Sequence, residues 1–374
     1  MNIVADENIP EVARYFSALG RVTTVNGRTL CAQQLVDTDI LLVRSVTRVD
    51  GTLLANSRVK FVASATIGID HLDTDYLESK GIGYCNAPGC NADSVVDYVF
   101  SVLCTINGAL DNLLDGGLVG IIGFGNVGSR LYHRLQRLGV NCVVFDPLLP
   151  REHCKNFGDL EDVLAADVIS CHAPLTTVGE HPSFHLLDAA KLSAIKQGAL
   201  LINAGRGSVI DNQALLDLLN VRADLRVALD VWENEPNIDQ SLMAKVNLAT
   251  PHIAGYSLDG KLAGTEMILS SCLAFYGRSG RGRAVEKVPA DCLLIDAQLS
   301  LEDAMKQAVL GCYTVADDDA RMRASLARAS VASAFDQLRK NYPVRREIAY
   351  CKVANPQQLK PQVLRYLLAL GLGI

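Results

Sequence analysis

Arg206, Glu235 and His252 lie where three apolar, β-prone runs end: ALLINAGRG (199–207), RVALDVWENEP (226–236) and NLATPHIAG (247–255). In an open parallel α/β sheet, ligands gather outside the carboxyl ends of the strands. A guanidinium, a carboxylate and an imidazole delivered there are placed to face one substrate, and together they suit oxidation of a secondary alcohol by hydride transfer. That reaction needs a base for the hydroxyl proton, and an imidazole, with an ordinary pKa of about 6.5, can serve at neutral pH. Glu235, 17 residues before His252, is suited to orient the ring and favour its protonated form. An arginine such as Arg206 can pair with a substrate carboxylate through two hydrogen bonds and adds positive charge where oxyanion character develops. Each residue alone has a plainer reading, as a surface ion pair, a solvated acid and a core histidine. Their joint placement at successive strand ends beside a nucleotide loop favours catalysis.

The hydride acceptor is predicted by GFGNVG (123–128), which follows the apolar run LVGII and opens the helical pattern SRLYHRLQRLG. Gly123, Gly125 and Gly128 permit a tight turn and a close pyrophosphate approach, and Asn126 and Val127 begin a helix whose amides face the phosphates. Asp146 ends the next strand, NCVVFDP, 18 residues past Gly128, where an acid accepts from a ribose 2'-hydroxyl and repels a 2'-phosphate. NAD is therefore expected rather than NADP. Asp230, ending RVALD, is placed to approach the nicotinamide amide. The other histidines show no metal-ligand spacing, so no metal is expected, and the absence of a GxSxG elbow argues against a hydrolase of that type.

These motifs need strands and helices in a fixed order. The 374 residues suggest two or three domains, and 49% apolar with 20% charged residues is a globular composition. A net charge of -6 argues against a nucleic-acid partner. No run reaches the roughly 18 apolar residues of a membrane span. The start, MNIVADENIP, has neither a basic nor an apolar leader region, and the eleven cysteines lack CxxC spacing. Core thiols in a cytoplasmic protein are expected, with Cys85 and Cys90 as the one pair close enough to suspect otherwise. Strands are read at NIVAD, DILLVRS, VKFVASA and GIGYCN, with a helix at EVARYFSALG. A single long helix is read over 91–114, then a second α/β unit of five or six strands to about residue 255. A helix follows over 255–277, then a Gly/Arg/Pro-bearing linker, GRSGRGRAVEKVPA, and a tail with helical runs at 301–313 and 320–342.

With those residues in hand, the chain resembles the D-isomer-specific 2-hydroxyacid dehydrogenase family over roughly residues 1–280. The likeness is carried by the glycine loop, Asp146, HAPL (172–175), NAGRG (203–207), DVWENEP (230–236) and PHIAG (251–255). It implies that Arg206, Glu235 and His252 are catalytic. It also implies a doubly wound Rossmann-type nucleotide domain (93–255) inserted in a flavodoxin-like α/β substrate domain (1–92 and 256–285). Cofactor contacts are implied at Ala173, Ala204 and Gly255. Ala173 stands where many relatives have threonine, which would lose a side-chain contact to the cofactor.

Closer likeness in LLVRSVT (41–47), SATIGIDHLD (64–73), NAPGCNADSVVDY (86–98) and the tail points to one branch of that family. The branch oxidises C2 of 4-phospho-D-erythronate to 2-oxo-3-hydroxy-4-phosphobutanoate on a route to pyridoxal 5'-phosphate. It implies substrate contacts from Ser45, Thr66 and Tyr256, and a homodimer through a small C-terminal α+β domain (286–374). Such a substrate calls for a phosphate pocket. Arg44 beside Ser45 is one candidate; Arg345 or Arg346 in YPVRREI, reaching a partner's cleft, is another, its alternative being a solvated basic turn. Other readings are another member such as phosphoglycerate dehydrogenase, or a non-catalytic NAD sensor, which would not need the intact trio.

Overall fold

Short, wholly apolar runs such as ILLV (40–43) and FVAS (61–64) are buried along their whole length, the pattern of parallel strands covered on both faces. The computed structural model describes residues 1–278, 291–328 and 330–374. Most of the expected linker, and the 285/286 boundary, lie outside the described residues. Among these residues no helix is long and apolar enough to cross a membrane, and all eleven cysteines, Cys85 and Cys90 included, are free thiols.

The chain forms two compact units. The first comprises residues 1–91 and 257–289. Its strands are β1 (Asn2–Asp6), β2 (Arg21–Val25), β3 (Ile40–Val43), β4 (Phe61–Ser64) and β5 (Gly83–Cys85), in the order β2-β1-β3-β4-β5. All four pairings are parallel, and the order is that of flavodoxin. The sequence reading omitted β2, whose RVTTV has no continuous apolar run; it is an edge strand with no buried residue. The helix Leu258–Phe275, capped by the Ser257 side chain on Gly260 N–H at 2.9 Å, sets Ile268, Leu269 and Cys272 against Ile3, Phe16 and Phe61.

The second unit comprises residues 92–256 and 290–374. Its sheet contains β6 (Leu118–Ile122), β7 (Asn141–Phe145), β8 (Val168–Cys171), β9 (Leu200–Asn203), β10 (Arg226–Leu229) and β11 (Leu248–Ala249), ordered β11-β10-β9-β8-β6-β7. Every pairing is parallel. A parallel bridge from Val144 to Phe157 adds the remnant of a strand beyond β7, which completes the doubly wound order. Chain order reverses between β6 and β8, so the glycine loop after β6 stands at the topological switch point.

Two sequence expectations change here. The helix expected over 91–114 is two, Ala92–Thr105 and Ala109–Leu114, because Gly108 takes the left-handed φ of 72° that a continuing helix cannot accommodate. The run at 320–342 is likewise divided between Val315–Leu326 and Val331–Lys340. The described residues of the C-terminal domain expected over 286–374 pack against the nucleotide sheet. Their helices Leu301–Cys312 and Pro361–Leu370 and the parallel pair β12 (Asp291–Leu293) with β13 (Cys351–Val353) complete an α+β segment. Met305, Val309 and Leu367 join one core with Val96, Leu103 and Leu131. An amphipathic helix must bury its apolar stripe, and the tail buries its own on its neighbour.

The helix Ala92–Thr105 is itself nearly all buried and carries Asp97 into that core. Burial raises the Asp97 pKa, while the Arg134 guanidinium opposes the shift. The pair's side chains are 2% and 5% exposed, and the other Asp97 oxygen accepts from Ile348 N–H at 2.8 Å. Arg134→Met should lower unfolding stability by about 3–5 kcal/mol, because it strands a buried carboxylate. Denaturant melts that coincide with wild type would contradict this.

Candidate active site

The glycine loop owes its composition to distances that leave no room for a Cβ. At Gly123, with φ of 89°, a Cβ would lie 2.8 Å from Ala173 N, and at Gly128 it would lie 1.9 Å from the Gly123 carbonyl oxygen. Gly125, by contrast, has no atom within 4 Å of that position. It precedes the helix Asn126–Arg137, so this open side is where a pyrophosphate can approach the helix amides. Asp146 Oδ2 accepts from Phe124 N–H at 2.8 Å and Oδ1 from Leu148 N–H at 3.1 Å. The acid thus fixes the loop, and its remaining lone pairs stay available to a ribose. These residues fit a dinucleotide. Behind the loop, His172 bonds Ser170 Oγ at 2.8 Å and burial pushes its pKa down to about 3; it is a neutral packing residue.

The structure brings Glu235 and His252 together. His252 Nδ1 lies 2.7 Å from Glu235 Oε2, and Glu235 Oε1 accepts from Trp232 N–H at 2.8 Å. Burial works against Glu235 ionisation, but the bond and charge of His252 and the Trp232 amide outweigh it and hold the carboxyl below its ordinary range. An ionised carboxylate only accepts, so Nδ1 carries the proton and Nε2 is left as the working nitrogen. The His252 side chain is 35% exposed, open to substrate. Because the Glu235 pKa is depressed on folding, the stability it contributes is complete above its ordinary value of 4.5. That contribution is lost as pH falls through the lower folded value.

Asp230 is anchored within the protein. It is 1% exposed, and its oxygens accept from Thr250 Oγ1 at 2.7 Å, Ile253 N–H at 2.8 Å and Ala254 N–H at 2.9 Å. Three of roughly four acceptor directions are used within the protein, leaving at most one for a carboxamide. Arg206 caps the β9 end: Asn203 Nδ2 donates to its carbonyl at 3.0 Å, and its own Nη1 donates to Gly205 O at 2.9 Å. Among the described residues no carboxylate pairs with it. The neighbouring Gly207 is obligatory, since a Cβ would lie 2.0 Å from the Trp232 carbonyl.

The sequence reading missed a second acidic contact here. His185 Nε2 lies 2.7 Å from Glu233 Oε1, and Asp211 Oδ2 is 3.6 Å from Nδ1. Glu233 Oε2 accepts from Asn212 N–H and Asp211 caps the following helix, so the cluster braces the loop that carries Glu235.

The phosphate candidates fare differently. Arg345 is neither a solvated turn residue nor free to leave the subunit: it is 6% exposed, donates to Ser94 and to Ala254 O, and stacks 4.1 Å above the Tyr313 ring. Arg346 is also buried, its guanidinium 5.2 Å from the Tyr350 ring centroid. In the first unit, Arg44 Nε pairs with buried Asp6 at 3.1 Å. Ser45 is exposed, and Thr66 belongs to a chain in which Ser64 Oγ meets both Thr66 Oγ1 at 2.7 Å and His71 Nε2 at 2.9 Å.

A glycine loop at a switch point and a Glu–His pair on the same sheet define a nucleotide-dependent dehydrogenase. Comparison with known proteins agrees. Residues 107–254 match the D-isomer specific 2-hydroxyacid dehydrogenase, NAD binding domain, and residues 285–371 match a domain of unknown function (DUF3410). The erythronate-4-phosphate dehydrogenase of Cellvibrio japonicus is 49% identical over 93% of each chain, and that of Pseudomonas aeruginosa 46% identical over 99% of each. The D-lactate dehydrogenase of Aquifex aeolicus, solved with NAD and lactic acid, shares the fold at a TM-score of 0.60 and 23% identity, covering 74% of this chain and 96% of its own. The chain belongs to the erythronate-4-phosphate dehydrogenase family, within the D-isomer-specific 2-hydroxyacid dehydrogenases.

Two substitutions probe the site. Glu235→Gln should lower kcat by about 100-fold or more, since an amide can donate to Nδ1 and select the wrong tautomer; kcat within threefold of wild type would exclude the orienting role. Asp146→Ala should raise KM for NAD and narrow the preference for NAD over NADP. Unaltered KM values for both cofactors would remove Asp146 from the ribose site.

Proposed function

We propose that the chain oxidises C2 of 4-phospho-D-erythronate to 2-oxo-3-hydroxy-4-phosphobutanoate with NAD, a step toward pyridoxal 5'-phosphate, as a cytoplasmic homodimer joined through its C-terminal segment. The observation that carries the chemistry is the 2.7 Å contact between His252 Nδ1 and Glu235 Oε2, which leaves Nε2 as a base. The substrate is supported by relatives of that name at 49% and 46% identity over nearly the whole chain.

Bound NAD supplies the hydride acceptor. Arg206 holds the C1 carboxylate and fixes C2 relative to His252. His252 Nε2 takes the proton of the C2 hydroxyl as the C2–H bond gives up its electron pair and the C2 carbonyl forms. Glu235 stabilises the resulting imidazolium, and in the reverse direction that imidazolium returns the proton to the carbonyl oxygen. Ser45, Thr66 and Tyr256 are the proposed further substrate contacts.

Purified protein offered 4-phosphoerythronate, 3-phosphoglycerate and D-lactate with NAD should show its highest kcat/KM on the first. A preference for either of the others would overturn the substrate. His252→Ala should lower turnover by roughly 100-fold or more, and a near-normal rate would refute its role.

A further inference from the structure

Arg339 belongs to none of the motifs above. It lies on the helix Val331–Lys340 of the C-terminal segment, and its guanidinium carbon sits 5.7 Å from the centroid of the Tyr256 ring. The same group lies 5.9 Å from the ring of Phe335, which is fully buried one turn earlier, at the spacing that brings side chains together on a helix face. Tyr256 immediately follows the loop that presents His252, and its ring also meets the Tyr342 ring edge-on at 5.7 Å. The arginine is thus clamped between aromatic groups at the border of the active site. Its charge helps to hold Glu235 ionised.

The clamp leaves this cation without a carboxylate in direct contact. Arg339 Nε is buried and has no hydrogen-bond partner, and among the described residues no carboxylate forms an ion pair with the group. A buried guanidinium nitrogen left without a hydrogen-bond partner is costly, a cost that a bound anion would offset. Arg206 is another guanidinium of this unit that has no carboxylate partner among the described residues. The proposed substrate carries two anionic ends, a carboxylate at C1 and a phosphate at C4. Arg206 is assigned to the first. A planar fork such as Arg339 matches the geometry of the second.

We infer that Arg339 binds the terminal phosphate of the substrate, so that the C-terminal segment supplies a specificity residue to the active site of its own chain. The inference rests on the substrate proposed above. It places phosphate recognition on a residue that stacks on Tyr256 rather than on Arg345, whose Nη2 holds the loop through Ser94 and the Ala254 carbonyl.

The test compares kcat/KM for 4-phosphoerythronate and for erythronate, which lacks the phosphate, in wild type, Arg339→Gln and Arg339→Lys. Arg339→Gln should lose about 10- to 100-fold on the phosphorylated acid and less than about threefold on erythronate. Arg339→Lys, which keeps the charge but not the fork, should fall between and serves alone if the glutamine variant does not fold. Equal losses on both substrates would make Arg339 a positioning residue acting through Glu235 and would overturn the inference; so would no loss on either. If wild type fails to oxidise 4-phosphoerythronate, the substrate proposal falls separately. Arg339 is then judged by competitive inhibition by inorganic phosphate of whichever 2-hydroxyacid is oxidised. At least about tenfold weaker inhibition in Arg339→Gln sustains the phosphate site, and equal inhibition removes it.

Discussion

The carboxylate of Asp230, buried at the end of β10, is the interaction on which the catalytic geometry depends. A buried carboxylate is tolerated only when its oxygens are hydrogen-bonded, and here the partners are Thr250 Oγ1 and the amides of Ile253 and Ala254. Those three groups belong to the loop that leaves β11. The Asp230 carbonyl also accepts from His252 N–H at 2.7 Å. With the residues on both sides fixed, His252 is held at a φ of 57°, a left-handed conformation that costs a non-glycine residue about 1–2 kcal/mol. That conformation accompanies the placement of the ring against Glu235. The bonds around Asp230 therefore give the histidine its direction as well as its position.

The same loop is held from its other side by the C-terminal segment. Arg345 donates to the Ala254 carbonyl, Ser94 Oγ donates to it at 3.0 Å, and the Tyr313 ring covers the guanidinium. The tail shares the core of the nucleotide sheet. Its contribution to the active site follows from packing: a segment that braces the catalytic loop also brings its own side chains, Arg339 among them, to that loop.

Much of this was legible in the sequence because the decisive signals are local. A glycine loop between an apolar run and a helix, an acid at the next strand end, and three polar residues closing later strands need no tertiary knowledge to be ordered along a parallel sheet. What was not legible depended on partners distant in sequence. RVTTV lacked the apolar pattern of a core strand and pairs as β2 at an edge. The three donors to Asp230, some 20 residues further on, cannot be assigned from spacing. Arg345 stood open between a phosphate ligand reaching a partner's cleft and a solvated turn, because its partners Ser94 and Ala254 lie 251 and 91 residues away. Arg339 gave no signal, since a single arginine on an amphipathic helix is ordinarily a solvated one.

The central claim is that His252, oriented by Glu235, removes the hydroxyl proton while hydride leaves C2. Single-turnover formation of reduced nicotinamide from 4-phosphoerythronate carrying deuterium at C2, followed against the unlabelled acid, addresses it directly. A slower first turnover with the deuterated acid, with the isotope effect preserved or enlarged in His252→Gln as chemistry becomes the slower step, is the result expected. Deuterium that is without effect in both proteins, or a His252→Gln variant as fast as wild type in that first turnover, would contradict it.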